Sequence, residues 1–468
     1  MRSGIDNTVQ ALRPERSNFK SDVIAGLTFA IVNVPQAMGH AVLAMVNPVL
    51  GIFTLMVAVP VGAIFTSSVF MNVSTTGALS VAAGSALATL PAADRLQGLA
   101  ALVLLVGVIQ LLAGLFKLGF VVRFVSNSVM TGFLNGVAVL IILGQLGDLT
   151  GYQSPFNNSV ARTLDLLLRL PRIDIPTTII GLLTLGLIVL LLRTRLGRFA
   201  FIIAIGISTV LLALLSLPVW GAEQSWQAVQ TVGDVASIPR SLPQLILPTP
   251  QLMLGLLLPA LSVAIIGLIQ GAGVSQSYPN PDGKYPNVSR DFLGQGAANI
   301  ASSLVGGLPA GGSISGTALI ISAGARSRWT NILAGFFVAL IVLLAAPLVE
   351  FVPMPALAAL LIVAGYQGLR LEAAQTIWRT SRVSTVVMAL TFLATLFIPL
   401  QYAVLIGVAL SVVLHVARQS NKVSVTWLVP VADGFPVERP APRELPSRQF
   451  TMLQIYGSLF FAAATSLE

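Results

Sequence analysis

The sequence predicts an all-α integral membrane protein of fourteen transmembrane segments in a 7+7 inverted repeat, with half-helices at spans 3 and 10. Three observations carry this reading. Of the 468 residues, 55% are hydrophobic and only 9% are charged, with a mean hydropathy of +0.89; soluble domains carry about 25% charged residues. The apolar runs divide seven and seven about a polar stretch at 218–250. Two of them, "STTGALSVAAG" (74–84) and "SISGTALIISAG" (313–324), are too short to cross a hydrocarbon core that takes about 20 helical residues, and both open on hydroxyls and small residues.

Taken in order, the spans fall near 23–45, 48–66, 75–90, 97–118, 124–147, 175–193, 199–217, 251–277, 291–307, 313–325, 328–350, 355–369, 380–398 and 401–418. Lys and Arg set the orientation. With a cytoplasmic N-terminus, 21 of the 26 fall on the cytoplasmic side, leaving Arg95, Arg162, Arg169, Arg172 and Arg240 outside. That asymmetry follows the positive-inside rule, implies an even number of spans, and puts both termini in the cytoplasm. The N-terminal segment lacks the apolar core of a cleavable signal, so span 1 is expected to stay as an anchor. The net charge of +9 is accounted for by these loops, and nothing suggests a nucleic-acid partner.

The halves resemble each other. "AIVNVPQAMG" (30–39) can be laid on "AIIGLIQGAG" (264–273), matching Gln36 with Gln270; Ser74 and Gly77 then correspond closely to Ser313 and Gly316. An odd number of spans per half inserts the two halves in opposite senses, the arrangement in which short or Gly/Pro-broken segments at matching places mark a transporter's binding site. The strand-like "VFMNV" (69–73) and the breakers of "LPAGG" (308–312) lead into the two short segments. A helix starting inside the membrane presents unpaired N–H groups and about half a positive charge, which holds an anion without a lysine or arginine. The candidate anion-binding residues are therefore Gln36, Thr75, Thr76, Gly77, Gln270, Ser313, Ser315, Gly316 and Thr317. Small and hydroxyl residues also serve tight helix packing, which is the competing reading for each one singly. If the glycines admit the anion, bulky substitution at Gly77 or Gly316 should stop uptake and leave the fold intact.

The chain has no cysteine and two histidines, His40 and His415, in different spans. Disulfides, a metal centre and a nucleophilic enzyme are thereby disfavoured, and no cofactor is expected. Asp22, Asp148, Asp291 and Glu350 fall near span ends, leaving no carboxylate deep in a span to serve a cation or proton relay. His40 reads as an interfacial residue.

At these residues the sequence resembles the sulfate permease family of anion transporters, solute carrier family 26, to which prestin and pendrin belong. The resemblance lies in "DVIAGLTFAIVNVPQAMGHAVLA" (22–44), "GFVVRFVSNSVMTGFLNGVAVLI" (119–141), "GQGAANIASSLVGGLPAGGSISG" (294–316) and "AGARSRWTNI" (323–332). It implies a core domain of spans 1–4 (23–118) and 8–11 (251–350), and a gate domain of spans 5–7 (119–217) and 12–14 (351–419). Residues 1–22 are the cytoplasmic N-terminus, 218–250 an extracytoplasmic loop, and 420–468 a linker with the start of an incomplete STAS domain. The linker is "GFPVERPAPRELP", and "FTMLQIYGSLFFAAATSLE" looks like the domain's opening strand. The resemblance further implies an anion held between the heads of spans 3 and 10, elevator-like movement of core against gate, a homodimer, and a bacterial inner-membrane location.

Two departures bear on the substrate. Many relatives carry an arginine at the head of span 10, where this chain has Ser315 and Gly316, and often an acidic residue in span 8, where it has Gln270. The substrate is thus expected among small anions (sulfate, bicarbonate, chloride or a carboxylate), with coupling to a proton or sodium ion left open. An anion channel or voltage-responsive motor is an alternative on the same fold. A nucleobase–proton symporter is another, although it would be expected to use acidic residues that spans 8 and 10 lack.

Overall fold

The computed structural model describes residues 16–399 except 121–125, 157, 195, 218–225 and 236–241, with short stretches between 402 and 456. Residues 1–15, most of the predicted fourteenth span with His415, and most of 441–468 lie outside the described residues. Apolar length sets the long elements: α1 (Arg16–Leu43), α2 (Val49–Phe65), then β1 (Asn72–Thr75) and the short α3 (Gly77–Leu87). The first half continues with α4 (Arg95–Leu115), α5 (Asn127–Gly144), α6 (Leu146–Thr150), α7 (Ser159–Leu168), α8 (Ile175–Leu192) and α9 (Ala200–Leu215). After the four-residue α10 (Val232–Val235) come α11 (Pro250–Ser277), α12 (Val288–Ser303), β2 (Ala310–Ser313) and the short α13 (Ile314–Ser322). The second half closes with α14 (Trp329–Glu350), α15 (Met354–Gly368), α16 (Leu371–Thr380) and α17 (Arg382–Phe397). Among the described residues, six helices are long and apolar enough to cross a membrane.

Two helices of ten residues, α7 and α16, were not anticipated and sit between predicted spans. They are amphipathic: α7 exposes Leu164, Leu167 and Leu168, while α16 buries Ile377 and exposes Trp378. Runs of about 20 apolar residues do not reveal such helices, because each is only ten residues long and carries charged residues, Arg162 and Asp165 in α7 and Glu372 and Arg379 in α16.

The helices pack as two groups. In one, α4 lies along α12 and α11, and α14 lies against α1 and α2. Glycines permit the α4–α12 approach: a Cβ on Gly107 would come within 2.7 Å of the Ile300 nitrogen, and one on Gly296 within 2.5 Å of the Leu111 nitrogen. In the other, α5 packs on α17 and α15, and α15 on α8, which meets α9. Helix α1 touches α15 and α3 touches α5 across the seam.

The breaks that create the short helices are closed by hydrogen bonds. Strands β1 and β2 pair antiparallel, with Asn72 opposite Ser313 and Thr75 opposite Ala310, and every residue of both is buried. A two-stranded ribbon inside a membrane must also satisfy its outer edges. Asn299 of α12 does so for β2, its Oδ1 accepting from the Ala310 N–H at 2.8 Å and its Nδ2 donating to the Ala310 carbonyl at 2.7 Å. Gln295 Oε1 accepts from the Gly312 N–H at 3.2 Å. For β1, Thr317 Oγ1 accepts from the Asn72 N–H at 3.0 Å, and Asn331 Nδ2 donates to the Met71 carbonyl at 3.2 Å.

Two buried carboxylates tie loops to helices. Asp22 of α1 accepts from the N–H groups of Arg326 and Ser327 and from the hydroxyls of Ser327 and Thr330. Asp291 of α12 accepts from the N–H groups of Ser67 and Ser68 and from the hydroxyls of Ser67 and Ser275. With four donors apiece, both are occupied as struts.

Near the C-terminal end, β3 (Ser424–Val429) lies between β4 (Val437–Pro440) and β5 (Met452–Tyr456) in an antiparallel sheet. Part of the proline-rich stretch read as a linker is therefore strand β4; Pro440 lies at its end on an edge strand, where a missing N–H is tolerated.

Candidate functional site

The heads of α3 and α13 are built alike. Thr76, with extended backbone, caps α3 by accepting from the Leu79 N–H at 3.3 Å; Ser313, also extended, caps α13 by accepting from the Gly316 N–H at 3.0 Å. Each cap satisfies the third amide of its helix and contributes about 1 kcal/mol. The first two amides have no partner within the helix; they belong to Gly77 and Ala78 in α3, and to Ile314 and Ser315 in α13. All four residues line one cavity of about 390 Å³. The antiparallel register sets the two caps four residues apart along the ribbon, about 13 Å at about 3.3 Å per residue, and both heads open on that space.

Side chains complete the lining. Gln36 comes from α1 and Gln270 from α11, the pair matched by the sequence repeat. Thr76 Oγ1 donates to Gln270 Oε1 at 3.1 Å, which occupies the carboxamide oxygen and leaves the amide nitrogen as a donor. Thr75, Thr76, Gly77, Ser313 and Ser315 are in the same lining. Gly316 and Thr317 are not. Thr317 is fully buried, donating to the Ser313 carbonyl at 2.6 Å while accepting from Asn72. Gly316 is packed so that a Cβ would come within 2.6 Å of Asn72 Oδ1, in a buried network with Asn331. A bulky side chain at Gly316 therefore collides with the fold itself, and the expectation that it would spare folding does not hold. Gly77 differs, since the nearest atom to its Cβ, at 2.6 Å, is the tip of Ile141 on α5.

Four polar residues, His40, Asn33, Gln367 and Arg370, reach the cavity without having been expected there. His40, read from sequence as interfacial, lines it with Nδ1 2.9 Å from Thr75 Oγ1. Asn33 lies two turns before His40 on the same helix, and Arg370 enters from the joint after α15. The spacing of Asn33, Gln36 and His40 was a legible signal: intervals of three and four place them on one face of α1. Arg370 had none, because its arrival depends on the α5–α15 packing. Among the described residues, no Asp or Glu lines the cavity.

A second cavity, about 330 Å³, lies beside α6 and α7 and includes Asp148 and Arg162. Unlike the first cavity, it has a carboxylate, Asp148, in its lining. Nearby, Asp165 is held below the usual carboxylate range, first by hydrogen bonds from the Tyr152 and Ser154 hydroxyls and then by Arg169 and Arg172.

The sequence matches the profile of the Sulfate permease family over residues 19–391. The chain belongs to that family. It is a membrane anion transporter and not an enzyme. A protein of Mycobacterium tuberculosis described as a probable sulfate transporter is 30% identical over 409 residues, covering 86% of this chain and 71% of the relative. Among solved structures, the murine solute carrier 26 family member A9 anion transporter in the inward-facing state aligns with a TM-score of 0.79. It is 21% identical, over 94% of this chain and 76% of the other. The transmembrane domain of the cyanobacterial bicarbonate transporter BicA aligns with a TM-score of 0.71 and 22% identity, over 84% of this chain and 98% of the other. At these identities the two structures attest the shared fold.

Proposed function

We propose that this protein is a secondary transporter of small anions that holds its substrate at the heads of α3 and α13. The observation carrying the proposal is the set of four uncapped amides opening on a single carboxylate-free cavity. Backbone N–H groups at a helix start offer short, fixed donors, and the two dipoles together supply about one positive charge. Gln36, the amide nitrogen of Gln270 and the Ser315 hydroxyl add donors from the sides. His40 can donate through Nε2 when the Thr75 hydroxyl donates to Nδ1.

The movement we propose is elevator-like. The group of α1–α4 and α11–α14 carries Gln36, Gln270 and both heads, and acts as the core. The group of α5, α8, α9, α15 and α17 supplies Ile141, Leu361 and Gly365 to the cavity wall, and acts as the gate. Sliding the first past the second would carry the anion across the seam while its donors travel with it. Sulfate and bicarbonate lead the candidate substrates, through the relatives' descriptions. The bacterial relative and the positive-inside pattern support an inner-membrane location with both termini cytoplasmic; the family resemblance supports a homodimer.

The test is uptake of labelled sulfate, bicarbonate and chloride into proteoliposomes, with and without an inward proton gradient. Saturable uptake of at least one anion, competed by the others, is expected. Ohmic, non-saturating flux would instead support a channel, and absence of flux for all three would refute the proposal.

A further inference from the structure

The cavity contains one full positive charge that the helix heads do not explain. Arg370 follows the last residues of α15, and its backbone N–H donates to Oδ1 of Asn135 at 2.6 Å. Asn135 is a buried residue of α5, so the position of residue 370 is pinned to the gate-side group. Arg370 is half-buried and belongs to the cavity lining. Among the described residues, no carboxylate shares that lining and Arg370 has no ion pair. A guanidinium partly removed from water and lacking a carboxylate leaves a rigid fork of donors unused, in a geometry that matches two oxygens of an oxyanion.

We propose that Arg370 fits this cavity to a doubly charged oxyanion such as sulfate. The inference rests on the anion site proposed above and adds the charge of its ligand. The heads of α3 and α13 together supply about one positive charge, which balances a monovalent anion. Arg370 brings the total to about two. The charge also comes from the opposite side of the seam: the heads, Gln36 and Gln270 belong to one helix group, and Arg370 to the other. A divalent anion therefore gains most where the two groups face each other across the cavity.

The discriminating experiment measures saturable uptake of labelled sulfate, chloride and bicarbonate by wild type, Arg370→Gln and Arg370→Lys in proteoliposomes. Coulomb energy scales with the ligand's charge, so a tenfold rise in the sulfate KM for Arg370→Gln should accompany a rise of only about threefold for chloride. Maximal rates should stay within about twofold, and Arg370→Lys, which keeps the charge, should hold the sulfate KM within about threefold of wild type. An equal shift for both anions, no shift at all, or a lysine variant as impaired as the glutamine variant would overturn the proposal. A wild-type protein that carries only monovalent anions would overturn it too, while leaving the anion site standing. Uptake of none of the three would refute both.

Discussion

The heads of α3 and α13 occupy matching places in the two halves, carry the same hydroxyl cap on the third amide, and open on the same cavity. They differ in what lies behind them. At α3 the first glycine, Gly77, meets only the tip of Ile141 across the seam, with His40 beside it. At α13 the corresponding glycine, Gly316, is wedged against Asn72, whose amide nitrogen donates to Asn331 at 2.8 Å, and Thr317 is spent in bonding the ribbon. One head therefore borders the seam between helix groups, while the other is also a structural joint. The repeat duplicated the backbone device, and its surroundings gave each copy a different second task.

The largest effect that sharpens this contrast belongs to Gly316→Val. Its side chain must displace Asn72 from a buried network, and overpacking together with a broken buried hydrogen bond costs about 3 kcal/mol or more. Melting in detergent should show a clear loss of stability; an unchanged melt would mean the two heads are equally free. Next comes Gly77→Ala. The protein should fold normally and lose about tenfold in uptake if the added methyl costs about 1.4 kcal/mol at the site. Ile141→Val removes the colliding Cδ1 and should restore most of that loss, which no defect confined to the core group would permit.

A smaller effect isolates the backbone. Proline is tolerated at the first position of a helix and removes its N–H, and the extended Ser313 is compatible with a following proline. Ile314→Pro should thus leave α13 intact and weaken anion affinity by about 1 kcal/mol, roughly fivefold, whereas Ile314→Ala should stay within about twofold. Equal affinities in the two variants would remove this amide from the account. The smallest change is expected for Ser315→Ala, which loses a hydroxyl and keeps the amide; a KM within about twofold of wild type is the outcome that favours backbone over side-chain recognition.

The short helices were legible because their cause is local. Hydroxyl caps, breakers and insufficient length are all written between residues 69–84 and 308–324. The Gln36–Gln270 match was legible for a related reason, since duplication leaves letters in register. What escaped depends on packing between distant segments. His40 lies on the face already marked by Asn33 and Gln36, yet its place beside Thr75 follows from how α1 crosses β1. Arg370 reaches the cavity because Asn135 fixes the joint after α15, a contact between residues 235 positions apart. Gly316 and Thr317 looked like ligands because a structural joint and an anion cradle draw on the same small and hydroxyl residues. The register of β1 with β2 tells them apart, and that register cannot be read from either strand alone.

The most direct test of the central claim is to locate the anion itself, using crystals soaked with selenate and, separately, with bromide as anomalous scatterers for divalent and monovalent ligands. The account predicts a peak in the cavity, within hydrogen-bond reach of the amides of Gly77 and Ala78 or of Ile314 and Ser315. That peak should be absent from Gly77→Val crystals that retain the fold. A peak confined to the second cavity near Asp148 and Arg162, or one unaffected by the change at Gly77, would contradict it.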